Sequence, residues 1–277
     1  MGFIFLVKKT TLKSHSILGE ESRTQRSILA LMADDPRYLL VSTRLDEFMQ
    51  NHELSCLLRA GDLKLSDFRL LNATRETLDE ELYKKYEAVF IGGTGDFSVA
   101  QDRPDWYRPL SNWTKGLLEH DVPSLGLCYG FHLMAEAVGG EVQTRPDLEE
   151  TGTFEVRLTD AGRDDELLKC LPGKFLAQQG HHDIVVSMPD EWIRLADSER
   201  CEWQAFKHPS KPFYGLQFHP ELRAEDFMDR MRAYADSYAS TPEVFEKINE
   251  QVQQTHNEEV IKAFLQLVET SKTDEAS

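Results

Sequence analysis

Ser124-Leu125-Gly126-Leu127-Cys128-Tyr129-Gly130-Phe131-His132-Leu133-Met134-Ala135-Glu136-Ala137-Val138 reads as an apolar strand, a Gly-x-Cys-x-Gly turn and a helical run. A strand that turns this tightly into a helix holds the central residue in a strained backbone position at the strand end. Flanking glycines are required because a side chain would collide with neighbouring backbone. The turn sets Cys128 at a helix amino terminus, where the dipole and free N–H groups favour thiolate over thiol. On this reading Cys128 is a nucleophile, and the Tyr129 N–H that follows it is an oxyanion donor. Free cysteine is also among the most buried residue types, so the segment taken alone favours catalysis but leaves a structural cysteine open.

Outward from this segment, strand-length apolar runs recur at Phe3–Val7, Tyr38–Val41, Ala88–Ile91 and Tyr214–Phe218, several of them alternating with stretches of helical period. Trp106–His120 carries Leu110, Trp113, Leu117 and Leu118 at helical spacing, suited to covering a sheet face. The pattern predicts an α/β fold, a doubly wound and mostly parallel sheet flanked by helices, with functional loops at the carboxyl ends of the strands. From Glu141 to Phe206 shorter pieces, Thr153–Leu158, Ile184–Ser187 and Trp192–Ala196, lie between Gly, Pro and Asp turns and predict a small antiparallel flank. A helix is expected over Ala224–Tyr238. Val244, Phe245, Ile248 and Val252, then Val260, Ile261, Phe264, Leu265 and Val268, predict extra C-terminal helices. Residues 1–238 are thus expected to form a catalytic domain and 239–277 a helical extension packed on it, with a frayed polar end; the same spacing also fits a partner-binding helix.

Near the other end of the chain, Tyr214-Gly-Leu-Gln-Phe218 runs into His219-Pro220-Glu221. A histidine leaving a strand at its functional end, a proline that stiffens the turn and a carboxylate two residues on make a base with its orienting group. A lone histidine after a strand is more often structural. Cys128 and His219, each at a strand end, support one another.

Composition excludes several classes. With 31 Lys and Arg against 48 Asp and Glu the formal charge is −17, and such a surface repels phosphate backbones, so nucleic acid is an unexpected partner. The four cysteines, Cys56, Cys128, Cys170 and Cys201, form no Cys-x-x-Cys pair and no zinc-ligand spacing with histidine. Neither a metal nor an organic cofactor is expected. No apolar stretch approaches the ~20 residues that span a bilayer, the start lacks the features of a signal peptide, and the cysteine usage fits a reducing, cytoplasmic setting.

The elbow and the Gly-Leu-Gln-Phe-His-Pro-Glu segment, in that order, resemble the class I glutamine amidotransferases, especially the glutaminase domain of GMP synthetases and its free-standing relatives. The resemblance covers about residues 85 to 235 well and the first 80 loosely, and the two motifs together are highly specific. It implies a flavodoxin-like doubly wound fold and a catalytic triad of Cys128 as nucleophile, His219 as general base and acid, and Glu221 as orienting carboxylate. Phe90-Ile-Gly92-Gly93-Thr94-Gly95-Asp96 resembles the family's oxyanion loop, with Gly93 N–H as second donor and Gly92 and Gly95 on the substrate side. By itself that turn fits a weak phosphate loop or a tight turn.

Two departures bear on the substrate. The family carries His-Gln where this chain has Phe131-His132, and His132 presents no primary amide. GMP synthetases carry Ser-His-Gly-Asp where this chain has Gly180-His181-His182-Asp183, with His182 in place of a glycine. His132, His181, His182 and Asp183 are therefore the candidate substrate-binding residues. The resemblance implies a cysteine-dependent amide hydrolase that forms a γ-glutamyl thioester from glutamine or from a γ-glutamyl peptide or conjugate. No synthetase domain is recognisable, which implies a separate synthetase subunit or a free-standing hydrolase. The alternatives are a catalytically idle scaffold or binding protein, and a Cys-His hydrolase of the peptidase or chaperone type using His132.

Overall fold

In the computed structural model, which describes residues 35–238 and 241–275, the apolar runs become β1 (Tyr38–Ser42), β2 (Phe68–Asn72), β3 (Ala88–Ile91) and β4 (Ser124–Leu127). Helices α1 (Glu47–Gly61), α2 (Leu82–Lys85), α3 (Tyr107–Glu119) and α4 (Tyr129–Ala137) connect or follow them. Every residue of β1, β3 and β4 is buried, as expected for strands covered on both faces. Asp46 caps α1 by accepting the Met49 N–H at 2.8 Å, and the helix ends at Asp62 in the left-handed region (φ 53°).

The chain continues through β5 (Glu141–Thr144), β6 (Glu150–Leu158), α5 (Asp160–Asp164), β7 (Lys174–His181), β8 (Asp183–Ser187), β9 (Ile193–Ser198), β10 (Ala205–Lys207) and β11 (Phe213–Leu216). It closes with α6 (Ala224–Ala233), α7 (Ala235–Tyr238), α8 (Pro242–Gln251) and α9 (Glu259–Glu275). The main sheet has the order β2-β1-β3-β4-β11-β10-β9-β6-β7. From β2 to β11 neighbours pair in parallel, and from β11 onward they pair antiparallel. A separate two-stranded antiparallel sheet joins β5 to β8. The doubly wound, mostly parallel core and its antiparallel flank are as the sequence pattern predicts.

On one face of the sheet Leu40, Phe90 and Leu125 pack with Leu54 and Leu57 of α1 and with Val260, Ile261, Phe264, Leu265 and Val268 of α9. On the other, Leu39, Val41, Val89 and Ile91 pack with Leu110, Trp113 and Leu117 of α3 and Phe131, Leu133 and Met134 of α4. Each face buries several large apolar side chains, worth ~1.5–3 kcal/mol apiece before the entropy of ordering them.

Three details differ from the sequence pattern. Strand β7 has polar Gln178, Gln179 and His181 at buried positions, hydrogen-bonded to Gln253, Gln204 and Asp183 respectively. The predicted helix over 224–238 breaks at Tyr234 into α6 and α7. The predicted first strand, Phe3–Val7, lies outside the described residues. No helix among the described residues is long and apolar enough to cross a membrane.

Candidate active site

The elbow has the strain expected of it. Cys128 stands between β4 and α4 with φ 52° and ψ −99°, one of three described non-glycine residues at positive φ. Its neighbours must be glycine for a steric reason: a Cβ on Gly130 would come 2.1 Å from the Ile91 carbonyl oxygen, and one on Gly126 2.7 Å from the Gly130 carbonyl. Strands β3 and β4 are thereby locked against the turn, with Gly130 N–H donating to Gly92 O at 3.1 Å.

His219 leaves β11 and is pinned by its N–H to Gln178 O at 3.0 Å. Its Nδ1 donates to Glu221 Oε1 at 2.8 Å, both side chains being buried. A Cβ on Gly93 would lie 3.2 Å from His219 Cε1 and 3.6 Å from Cys128 Cβ, so histidine and cysteine border the same space over this glycine. The structure brings Cys128, His219, Glu221 and Gly93 together at one place in the fold. Arg230 of α6 caps the pair, with Nη1 3.2 Å from His219 Nδ1 and Nη2 3.2 Å from Glu221 Oε1.

The electrostatics follow from burial. It pushes the Cys128 thiol up to about 12, against the pull of Arg44, Arg230 and the Tyr129 N–H. Burial also lowers His219, opposed by Glu221 and reinforced by Arg230 and Arg44. Burial raises Glu221 too, but His219 and Arg230 outweigh it and hold the carboxyl at about 2. At neutral pH the site is therefore a thiol beside a neutral imidazole and a carboxylate. The helix amino terminus does not by itself make a thiolate here, because burial outweighs it.

Of the two oxyanion donors expected, Tyr129 N–H follows the Cys128 sulfur directly and helps to lower its thiol pKa against burial. Gly93 N–H is engaged elsewhere: it donates at 2.9 Å to Glu53 Oε1 of α1, which also pairs with Arg44 at 3.0 Å. Arg44 and Glu53 are both fully buried.

Beside the sulfur is a cavity of about 60 Å³ whose lining includes Thr94, Ser98, Cys128, Tyr129, His132, His181, His182, Asp183 and Tyr238. Four of the expected substrate-side residues thus converge on Cys128. Gly92 and Gly95 do not line it: Glu53 covers the Cα of Gly92, and the Tyr234 ring that of Gly95. His132 donates from Nε2 to Gln217 Oε1 at 2.6 Å, and burial, then the neighbouring His181, holds it down at about 4, so it is neutral at pH 7. Asp183 accepts from Ser98 and Thr144 hydroxyls at 2.8 and 2.6 Å; burial raises its carboxyl, but His132 and these donors bring it below the ordinary range. His182 pairs with Glu149 at 2.8 Å and stacks on Tyr238 at 4.9 Å. Tyr238 donates to the Gly180 carbonyl at 3.1 Å, the same oxygen that Cys128 Sγ faces at 3.6 Å.

Two clusters among the described residues hold ligand atoms within 4.8 Å of each other, His52 with Cys56 and Asp226, and Glu150 with His181 and Cys201. Protein groups already occupy them: Arg59 pairs with Asp226, and Gln204 and Ser198 donate to Glu150.

Arg44, Glu53, Arg230 and Tyr238 were not singled out by sequence. A signal existed for two of them. Glu53 shares the buried face of α1 with Met49, Leu57 and Ala60, and Arg230 that of α6 with Phe227 and Met231; a charge on an apolar helix face marks a buried partner.

A strained cysteine elbow, a strand-end His-Pro-Glu and a glycine loop at the carboxyl edge of a parallel sheet define an α/β architecture with a cysteine, a histidine and a carboxylate gathered at one sheet edge. Residues 52–235, more than half of the chain, match the family described as glutamine amidotransferase class-I. The protein belongs to that family. A glutamine-hydrolyzing GMP synthase subunit from Methanopyrus kandleri is 41% identical over 110 residues, 40% of this chain and 57% of that protein. The protein of the same description from Archaeoglobus fulgidus is 38% identical over 151 residues, 54% of this chain and 75% of the relative. The match therefore spans little more than half of the first relative and three quarters of the second. Among solved structures, a glutamine amidotransferase from Thermotoga maritima superposes with a TM-score of 0.64 at 21% identity, covering 84% of this chain and 97% of the other. One from Methylobacillus flagellatus gives 0.63 at 17%, covering 84% and 95%. These likenesses establish the fold.

Proposed function

We propose that the protein hydrolyses a glutamine-type amide, with Cys128, His219 and Glu221 as its triad. The observation that carries this is the buried His219–Glu221 pair at 2.8 Å set beside a cysteine held in a strained strand-to-helix turn. The neutral imidazole takes the thiol proton as sulfur attacks the amide carbon. Tyr129 N–H stabilises the oxyanion, joined by Gly93 N–H once it exchanges Glu53 for the substrate oxygen. The imidazolium, held by Glu221, gives its proton to the departing nitrogen as the C–N bond breaks, leaving a γ-glutamyl thioester. Water, deprotonated by His219, then releases the acid and restores the thiol. His132, His181, His182 and Asp183 form the acyl side of the pocket. That the relatives are described as one subunit of a synthase supports a separate synthetase chain as the receiver of ammonia when glutamine is the substrate.

Release of glutamate from glutamine and from γ-glutamyl dipeptides is the direct test, with Cys128→Ala as control. Turnover that survives Cys128→Ala sinks the assignment.

A second reading, a ligand-binding scaffold without turnover, draws on the engaged Gly93 N–H and the protonated thiol. Rapid, selective alkylation of Cys128 by an electrophilic glutamine analogue argues against it, because a scaffold has no need of an activated sulfur.

A further inference from the structure

A second, smaller cavity of about 20 Å³ lies on the histidine side of the site. It is lined by His219 but not by Cys128, whereas the 60 Å³ cavity is lined by Cys128 but not by His219. The two share Thr94, Gly180 and Tyr238, and the sulfur faces the Gly180 carbonyl at 3.6 Å, at their common border. A scissile amide at the sulfur would have its acyl portion in the larger space. Its departing amine would lie on the side of His219, the group that protonates it.

Two arginines line the histidine-side cavity, Arg44 at 2% exposure and Arg230 at 5%. Each has a carboxylate partner, Glu53 and Glu221 respectively. Those partners do not exhaust the guanidinium donors. Arg44 Nε and Arg230 Nε are buried without a hydrogen-bond partner, and Arg230 Nη2, although close to Glu221, makes no hydrogen bond to it. A buried N–H left unmade is costly, and a buried guanidinium is more so, which makes the three orphan donors a standing demand for an acceptor. The planar fork of arginine matches a carboxylate, and the space accommodates a group of about one or two water molecules' volume, the size of a carboxylate head.

We propose that Arg44 and Arg230 form a carboxylate subsite for the departing amine, so that the preferred substrate is a γ-glutamyl amide of an amino acid, with the free carboxylate on the leaving group. The proposal rests on the reading of Cys128 and His219 as the reacting pair. It makes both arginines specificity-determining. Ammonia, the leaving group of glutamine, leaves this subsite empty.

The test is a matched pair, γ-glutamyl-glycine against γ-glutamyl-glycinamide, which differ only in the charge of the leaving group, with glutamine alongside. Wild type should favour the carboxylate by on the order of ten- to a hundredfold in kcat/KM, the range of a charge-assisted hydrogen bond. Arg44→Lys and Arg230→Lys keep the charge beside Glu53 and Glu221 but lose the fork. They should bring that ratio close to one, whatever they do to the absolute rates, and circular dichroism confirms that each is folded. Equal use of the two dipeptide analogues by wild type overturns the inference and leaves the amidase reading standing. So does a preference that persists in both variants. If wild type cleaves none of the three and Cys128 resists the glutamine analogue, the triad reading fails and the subsite falls with it.

Discussion

Replacing Glu221 by glutamine preserves the shape of the turn and removes one charge from a buried pair. In the wild type, holding that carboxyl at about 2 instead of 4.5 corresponds to about 3 kcal/mol of favourable interaction with its surroundings, chiefly His219 and then Arg230. On the proposed mechanism, the same interaction favours the imidazolium formed when His219 takes the thiol proton. Its loss alone slows the chemical step by roughly a hundredfold. A glutamine that turns its amide nitrogen to Nδ1 also traps the wrong tautomer, and orienting carboxylates in such triads are worth up to ~10⁴-fold for that reason. The expected drop in kcat is therefore between about 10² and 10⁴, with KM changed far less. Stability offers an independent check. A carboxyl depressed in the folded state stabilises it fully above the unfolded value, and that contribution is lost as pH falls from about 4.5 towards about 2. Glu221→Gln should lack this part of the acid limb, and its Arg230 should be left without a counter-charge. Adding Arg230→Met should recover stability without recovering rate. A Glu221→Gln enzyme within threefold of wild-type kcat, with an unchanged acid limb, would refute the reasoning.

His132, held at about 4 by burial, is neutral when folded; its contribution is present above the unfolded 6.5 and lost as pH falls from 6.5 to about 4. Urea unfolding at pH 7 and pH 5 should show His132→Gln losing less stability than wild type over that interval, out of about 3 kcal/mol available across the full window. Glu53→Ala leaves Arg44 buried and unpaired and should cost about 3–5 kcal/mol, most of which an added Arg44→Met restores; a single mutant within about 1 kcal/mol of wild type by chemical denaturation contradicts the buried pair. Gly130→Ala drives a Cβ to 2.1 Å from the Ile91 carbonyl and should lower stability by about 3 kcal/mol or more. Gly180→Ala meets nothing closer than 3.7 Å and should change stability by less than about 1 kcal/mol, so thermal melts of the two should separate clearly.

The sequence by itself determined the parts of this protein that are written locally. A short buried strand, a Gly-x-Cys-x-Gly turn and a helix can fold in few ways, because a side chain at Gly126 would meet the Gly130 backbone of the same turn. Likewise His-Pro-Glu sets its own 2.8 Å hydrogen bond within three residues. Alternation of apolar runs with helical stretches was enough for the parallel sheet, since strands buried on both faces are continuously apolar. It was not enough for β7, whose buried Gln178 and Gln179 find partners in the distant Gln253 and Gln204. Only the tertiary structure set Glu53 under the Gly93 N–H, Arg230 over the His219–Glu221 pair, and Tyr238 at the border of the two cavities. It also decided the protonation of the thiol. The helix terminus that favours a thiolate is visible in the sequence, but the burial that outweighs it is contributed by segments far along the chain, and desolvation is a property of the assembled site.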